Sequence, residues 1–163
     1  MVLVGARRAG NVGLVARAMW NTGLSRLTLA HSTNHLSKTA LTFGAPAKEI
    51  LMAAKTQSSL RAALKDSCFA IGFTRRVGKM RPTLINYLDL IPSIIARAKT
   101  GNVHLVFGNE RTGLSTEQKD QCDAAAFLPS NPNFSFHESL TCHDVGGIRA
   151  AQGRRGEGTS GRY

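Results

Sequence analysis

The chain has 163 residues, enough for one domain with a buried core and too few for two. Apolar residues make up 42% of it. No apolar run approaches the roughly 20 residues of a membrane span and no secretion signal opens the chain, so we expect no membrane segment. Lys and Arg outnumber Asp and Glu by 21 to 10, and the net charge of +11 favours a polyanionic partner such as nucleic acid.

Short apolar runs alternate with helical patterns along the chain. The predicted strands are residues 2–4, 27–30, 68–73, 103–107 and 124–128. Three helices are predicted, at residues 12–22, 58–65 and 85–99. The first stops before Gly23, and the second is capped by Ser58 or Ser59. Pro92 is expected to bend or divide the third. This alternation predicts an α/β fold, a mostly parallel sheet with helices on both faces.

The end of the chain has a different character. From about residue 137 the apolar periodicity stops and glycine and arginine accumulate, so we expect this tail to be disordered. Three cysteines, Cys68, Cys122 and Cys142, lack CxxC spacing, which predicts neither a disulfide framework nor a metal site. Their pattern favours a reducing, cytoplasmic location.

A glycine-containing segment joins the first strand to the first helix and carries Gly10, Asn11, Gly13 and Arg17. It has two functional interpretations: a loop that binds nucleotide phosphate, or a structured turn that projects Asn11 and Arg17 toward a substrate. Neither a P-loop nor a complete G-x-G-x-x-G pattern is present. A third interpretation makes Asn11 a simple helix cap and Arg17 a solvated side chain.

Two further strands run directly into loops. Residues 105–114 include Gly108, Glu110 and Arg111 at the carboxyl end of a strand, where ligands bind in parallel sheets. Residues 127–135 contain two prolines that hold the backbone in set directions. Taken singly, each segment is also compatible with an ordinary turn, and the proline segment favours that interpretation.

In this order the three segments resemble the motifs of the SPOUT RNA methyltransferases, in particular the TrmH/TrmJ branch. The first motif, N-x-G-x-x-x-R, is matched by Asn11, Gly13 and Arg17. The second, F-G-x-E-x-x-G-L, is matched by Phe107, Gly108, Glu110, Gly113 and Leu114. The third, L-P-x-N-P-x-x-S, is matched by Leu128, Pro129, Asn131, Pro132 and Ser135. The resemblance covers nearly all of residues 2–135.

The resemblance implies a C-terminal trefoil knot, a homodimer and the transfer of a methyl group from S-adenosylmethionine to an RNA ribose 2′-OH. The RNA is expected to be tRNA, methylated in its anticodon loop, with rRNA as the alternative. Arg17 and Asn11 are the implied catalytic residues. Because guanidinium stays protonated, Arg17 is better suited to orienting a phosphate and stabilising an alkoxide than to acting as a base.

The implied donor site is formed mostly by main-chain groups, which suits a cationic sulfonium. The matching positions are Phe73, Thr74, Arg75, Gly108, Leu128 and Ser135. Side chains flanking these loops are candidates for RNA contacts, or else form a generic solvated face. They are Arg7, Arg8, Arg76, Lys79, Arg81, Glu110 and Arg111.

The chain departs from the family pattern after Ser135, where an apolar helix is expected and Phe136 and His137 are followed by the glycine and arginine tail. We therefore divide it into a methyltransferase domain, residues 1–135, and an atypical tail, residues 136–163, which is disordered or the product of a frameshift. Because the third motif is altered, one alternative for the fold is an incomplete knot. The alternative function is that of an inactive RNA-binding remnant. A small nucleotide-binding α/β protein is a third candidate.

Overall fold

One parallel sheet organises the chain, and the computed structural model describes residues 1–32, 34–74 and 84–128. Its strands are β1 (Val2–Val4), β2 (Thr28–Ala30), β3 (Lys55–Gln57), β4 (Ser67–Phe73), β5 (Ile85–Asn86), β6 (Asn102–Phe107) and β7 (Ala124–Phe127). Its α-helices are α1 (Ala9–Asn21), α2 (Lys38–Phe43), α3 (Lys48–Met52), α4 (Leu60–Ala63), α5 (Tyr87–Ala98) and α6 (Thr116–Asp120), and a 3-10 turn spans Ala45–Ala47. The strand order is β3-β2-β1-β6-β4-β7-β5 with every pair parallel, which confirms the predicted fold class.

Apolar side chains cover both faces of the sheet, as a parallel sheet requires. On one face, Leu29, Ile71 and Phe107 pack with buried residues of α1, α3 and α5. On the other, Val106 and Val4 pack with Leu60 of α4. Because side chains alternate along a strand, neighbouring residues such as Val106 and Phe107 serve opposite cores.

Helix α1 begins at Ala9, three residues before the predicted start, and ends at Asn21, one residue before the predicted end. Thr22 is the C-cap, and Gly23 follows it at φ +75°. Its middle lies directly against α2. A Cβ atom at Gly13 would overlap the carbonyl oxygen of Ala40 and lie 2.9 Å from the Gly44 nitrogen, so the two backbones touch here. Gly13 therefore allows the close approach of two helices.

Several predicted elements differ in detail. Ser59, not Ser58, caps α4, since its side chain accepts a hydrogen bond from the Ala62 nitrogen at 3.1 Å. The helix predicted at residues 85–99 begins only at Tyr87, after the short strand β5, and Pro92 lies inside it. Leu88, one of the apolar residues of this helix, is 48% exposed.

Short or polar elements were not predicted, namely α2, α3, β3, β5 and α6. Strand β3 reads Lys-Thr-Gln and forms an edge of the sheet, so it carries no apolar signal. The third motif beyond Leu128, the tail and the predicted knot lie outside the described residues. Within the described ranges no helix is long and apolar enough to cross a membrane, and no group of three or more His, Cys, Asp or Glu residues could hold a metal ion.

Candidate active site

The predicted donor-site residues that the structure describes lie at neighbouring strand ends on the carboxyl edge of the sheet. Strands β6, β4 and β7 are neighbours, so Gly108, Thr74 and Leu128 follow three adjacent strand ends. The backbone N–H of Thr74 donates to the Ala126 carbonyl at 3.0 Å and continues the β4–β7 pairing by one residue. Arg75 and Ser135 lie outside the described residues.

Phe73 is fixed by its side chain, which faces the core. Its ring stacks on Phe107 with centroids 4.5 Å apart and lies 5.5 Å from the ring of Tyr87. Burial raises the pKa of the Tyr87 hydroxyl to about 12, so this cluster stays uncharged even at moderately alkaline pH. With its side chain committed to packing, Phe73 has only main-chain groups to offer a ligand.

The loop after β6 is closed by Asn109. Its backbone exchanges hydrogen bonds with Gly113, at 3.2 and 2.8 Å, and its side-chain oxygen accepts from the Arg111 nitrogen at 3.0 Å. Its side-chain nitrogen donates to the Gly5 carbonyl at 2.6 Å, which ties this loop to the loop after β1. A Cβ at Gly108 would overlap Gly113, so the turn requires glycine there.

Sequence reasoning did not select Asn109. The available signal was the frequency with which Asn side chains accept hydrogen bonds from the backbone two residues on, which is typical of turns. Its bond to Gly5, 104 positions away in the chain, had no sequence signal at all.

Glu110 links the same two loops through its carboxylate. The oxygens accept hydrogen bonds from the backbone nitrogen of Arg7, at 3.2 Å to each oxygen, and from that of Arg8 at 3.1 Å. Arg8 is the N-cap of α1 and makes no side-chain cap of its own, so Glu110 places a negative charge at the helix N-terminus. The RNA contact expected for Glu110 stays a prediction, and the structure gives this carboxylate an internal role.

Asn11 lies in the first turn of α1, beside these loops. It lines a small cleft that encloses about 20 Å³, roughly the space for one water molecule. The other lining residues are Leu3, Ala6, Val12, Val15, Gly108 and Glu110. Interpreting Asn11 as the helix cap is wrong, because the N-cap is Arg8. The cleft joins a predicted catalytic residue to a predicted donor-site residue.

Arg17 lies farther along α1 and is exposed. Arg17 is six positions after Asn11, so helix geometry places the two residues about 9 Å apart along the helix axis and about 120° apart around it. The helix therefore separates the two predicted catalytic side chains. Arg17 shares the face of Gly13, the face that packs on α2.

This packing also decides between the interpretations of the first glycine segment. Gly10 and Gly13 are both helical, and Gly13 is covered by the backbone of α2. A phosphate-binding loop would need its glycine backbone free to surround an anion. The segment is instead a turn leading into a helix, held by Glu110.

The exposed side chains of Arg7, Arg8 and Arg111 surround this edge of the sheet. Arg76, Lys79 and Arg81, the remaining predicted RNA contacts, lie outside the described residues. For all six side chains, contact with RNA stays a prediction.

Comparison with known proteins identifies the family. The SpoU rRNA Methylase family matches residues 1–140. The chain belongs to this family. A relative in Pseudomonas aeruginosa, tRNA (cytidine/uridine/adenosine-2'-O-)-methyltransferase TrmJ, is 32% identical over 135 residues, covering 82% of this chain and 52% of its own. The tRNA (cytidine-2'-O-)-methyltransferase TrmJ of Methanocaldococcus jannaschii is 29% identical over 137 residues, covering 82% and 59%.

Solved structures of a methylase family protein and of a TrmJ share the fold. A probable methylase family protein from Haemophilus influenzae superposes with a TM-score of 0.81 at 27% identity, covering 99% of this chain and 70% of its own. TrmJ from Z. mobilis superposes with a TM-score of 0.81 at 24% identity, covering 99% and 71%. The chain spans about half the length of the curated relatives it matches.

Proposed function

We propose that this SpoU family chain is an S-adenosylmethionine-dependent RNA ribose 2′-O-methyltransferase that acts on tRNA in the cytoplasm. The observation that carries the proposal is the joining of two predicted sites: the donor-site strand ends and the start of α1 are bridged by Asn109 and Glu110. The names of the matched relatives as tRNA 2′-O-methyltransferases support the substrate. rRNA is the alternative substrate.

The described donor-site positions fit S-adenosylmethionine chemically. Phe73, Thr74, Gly108 and Leu128 carry no charge, and the Phe73 side chain points into the core. A cationic sulfonium is repelled by Lys and Arg side chains but not by carbonyl oxygens. A related SpoU methyltransferase, AviRb, has been solved in complex with AdoMet.

The reaction needs alignment more than covalent chemistry from the protein. When bound, the donor supplies a methyl carbon that bonds to the ribose 2′ oxygen as its bond to sulfur breaks. Asn11, at the cleft beside Gly108, is placed to hydrogen-bond the sugar. Because α1 separates Arg17 from Asn11, we assign Arg17 to the phosphate adjacent to that sugar, where its charge also stabilises the developing negative charge on oxygen as the proton leaves to solvent. Glu110 and Asn109 hold the loop after β1 and the loop after β6 together.

Replacing Arg17 tests this assignment. We expect Arg17→Ala to lower methylation of a tRNA transcript by at least about 100-fold, in the range of a lost transition-state hydrogen bond, while calorimetry shows nearly unchanged S-adenosylmethionine binding. Lys38→Ala, which removes an exposed cation from the first residue of α2, is the control and should keep full activity. Unchanged turnover of the Arg17 variant would contradict the role.

A second candidate is an inactive RNA-binding remnant, favoured by the departure from the family pattern after Ser135. It predicts RNA binding without S-adenosylmethionine binding in the same calorimetric titration. We also propose that the active form is a homodimer, which sedimentation equilibrium of the full chain tests directly. A monomer that still methylates tRNA would contradict that part.

A further inference from the structure

A second basic surface lies at the opposite edge of the sheet, where the strands begin. Each of its exposed side chains comes just before or at the start of a strand: Arg26 before β2, Lys55 in β3, Lys65 before β4, and Arg97 and Lys99 before β6. We call these five residues the amino-end basic edge. Because all the strands are parallel, this surface lies at the amino ends of the strands, and the candidate active site lies at their carboxyl ends.

Hydrogen bonds connect this edge from one strand to the next. The Arg26 guanidinium donates to the Asn102 side-chain oxygen at 3.1 Å, and the Asn102 amide donates to the Asp66 carbonyl at 3.4 Å. The Lys55 nitrogen donates to the Leu27 carbonyl at 3.0 Å. Four strand spacings separate β3 from β4 in the sheet, so the amino-end basic edge is about 19 Å wide.

The charge balance along this stretch is strongly positive. Against these five cations, the acidic residues just before the described strands are Asp66, Asp120 and Asp123. The Asp123 carboxylate accepts a hydrogen bond from the Ala70 nitrogen at 2.7 Å. Two of the cations are already oriented. Arg26 is held by Asn102, and the Arg97 guanidinium lies 4.3 Å from the centre of the Phe69 ring. Orientation before binding lowers the entropic cost of binding an anion.

We propose that the amino-end basic edge binds backbone phosphates of the RNA substrate, far from the nucleotide that is methylated. The proposal rests on the proposed RNA methyltransferase function. The seven residues of β4 separate the two edges by about 20 Å, more than a single nucleotide can bridge. The path over the protein surface is longer than this straight-line distance, so we propose that the contact at the amino-end basic edge comes from RNA beyond the stem-loop that holds the methylated nucleotide, namely the body of a whole tRNA.

Charge neutralisation at this edge tests the proposal. The double variant Lys65→Gln with Lys99→Gln changes two exposed side chains that lie just before the neighbouring strands β4 and β6. The control, Lys38→Gln with Lys48→Gln, removes the same charge from exposed positions at the starts of α2 and α3. Binding to a full tRNA transcript and to its isolated anticodon stem-loop is measured across a range of salt concentrations.

We expect the edge variant to bind the full transcript roughly 10-fold more weakly at physiological salt, with a salt slope lower by about 1.5 because two phosphate contacts are lost. Stem-loop binding and the control variant should change by less than about two-fold. Equal losses in the edge and control variants would overturn the proposal, as would an equal loss with the stem-loop.

The same preparations separate this inference from the proposed function. S-adenosylmethionine binding and methyl transfer by the unmodified chain test the function. If both are absent while the edge variant alone loses transcript affinity, the surface stands and the methyltransferase assignment fails. If methylation is intact and the edge variant binds the transcript normally, the surface fails and the function stands.

Discussion

Replacing Gly13 by alanine tests whether α1 must touch the backbone of α2. The new Cβ would overlap the Ala40 carbonyl oxygen and lie 2.9 Å from the Gly44 nitrogen. Both groups belong to the backbone, so no side-chain rotation relieves the overlap. Gly10, one turn earlier in α1, is the matched control, because its Cβ would meet the Phe43 ring at 3.4 Å.

The two substitutions should change stability in opposite directions. Alanine stabilises a helix over glycine by roughly 0.5–1 kcal/mol, less in the first turn, where Gly10 lies. Gly10→Ala should therefore raise the free energy of unfolding by about 0.5 kcal/mol. Overpacking costs roughly 1–3 kcal/mol, and here α1 must move by about an ångström to restore contact distances, so Gly13→Ala should lower stability by about 1–2 kcal/mol.

Urea unfolding followed by circular dichroism measures both variants against the parent chain. We expect the two midpoints to lie on opposite sides of the parent midpoint, with equal slopes. Because Asn11 sits on the same helix, Gly13→Ala should also lower kcat/KM for tRNA. If Gly13→Ala proves as stable as Gly10→Ala, then the helices do not approach as described and the packing argument is refuted.

Three further predictions concern the loops and the thiols. Glu110→Gln keeps the shape of the side chain but removes its charge from the start of α1, so urea unfolding should show a loss of about 1 kcal/mol, and an unchanged stability would contradict the capping role. Asn109→Ala removes the bond to Gly5 and the side-chain bonds within the loop, for an expected loss of about 1–3 kcal/mol. Asn109→Asp keeps the acceptor oxygen but turns a carboxylate oxygen toward the Gly5 carbonyl oxygen, so it should lose at least as much, and an unchanged stability would contradict the tie between the loops. Burial raises the pKa of the Cys122 thiol to about 11, so at pH 8 iodoacetamide should label exposed Cys68 well before Cys122 in peptide mapping, and urea should abolish the difference. Equal labelling in the native chain would show that Cys122 is accessible.

Sequence patterns predicted the elements that are buried on both sides. Five strands were found within two residues of their observed bounds, because their apolar runs record burial directly. Strand β3 was missed because its exposed edge position leaves its side chains polar. The short helices α2 and α3 are stabilised by packing against α1, and Leu51 of α3 is buried in the core. Such tertiary contacts leave no periodic pattern in a short segment of sequence.

The sequence by itself determined the α/β class, the location of the candidate site at the strand ends and the family motifs, because each depends on residues close together in the chain. The tertiary structure decided which loops meet. Glu110 reaches Arg7 across 103 positions, and Asn109 reaches Gly5 across 104. Both contacts exist because β1 and β6 are neighbours in the sheet, and strand order arises from the packing of the whole chain.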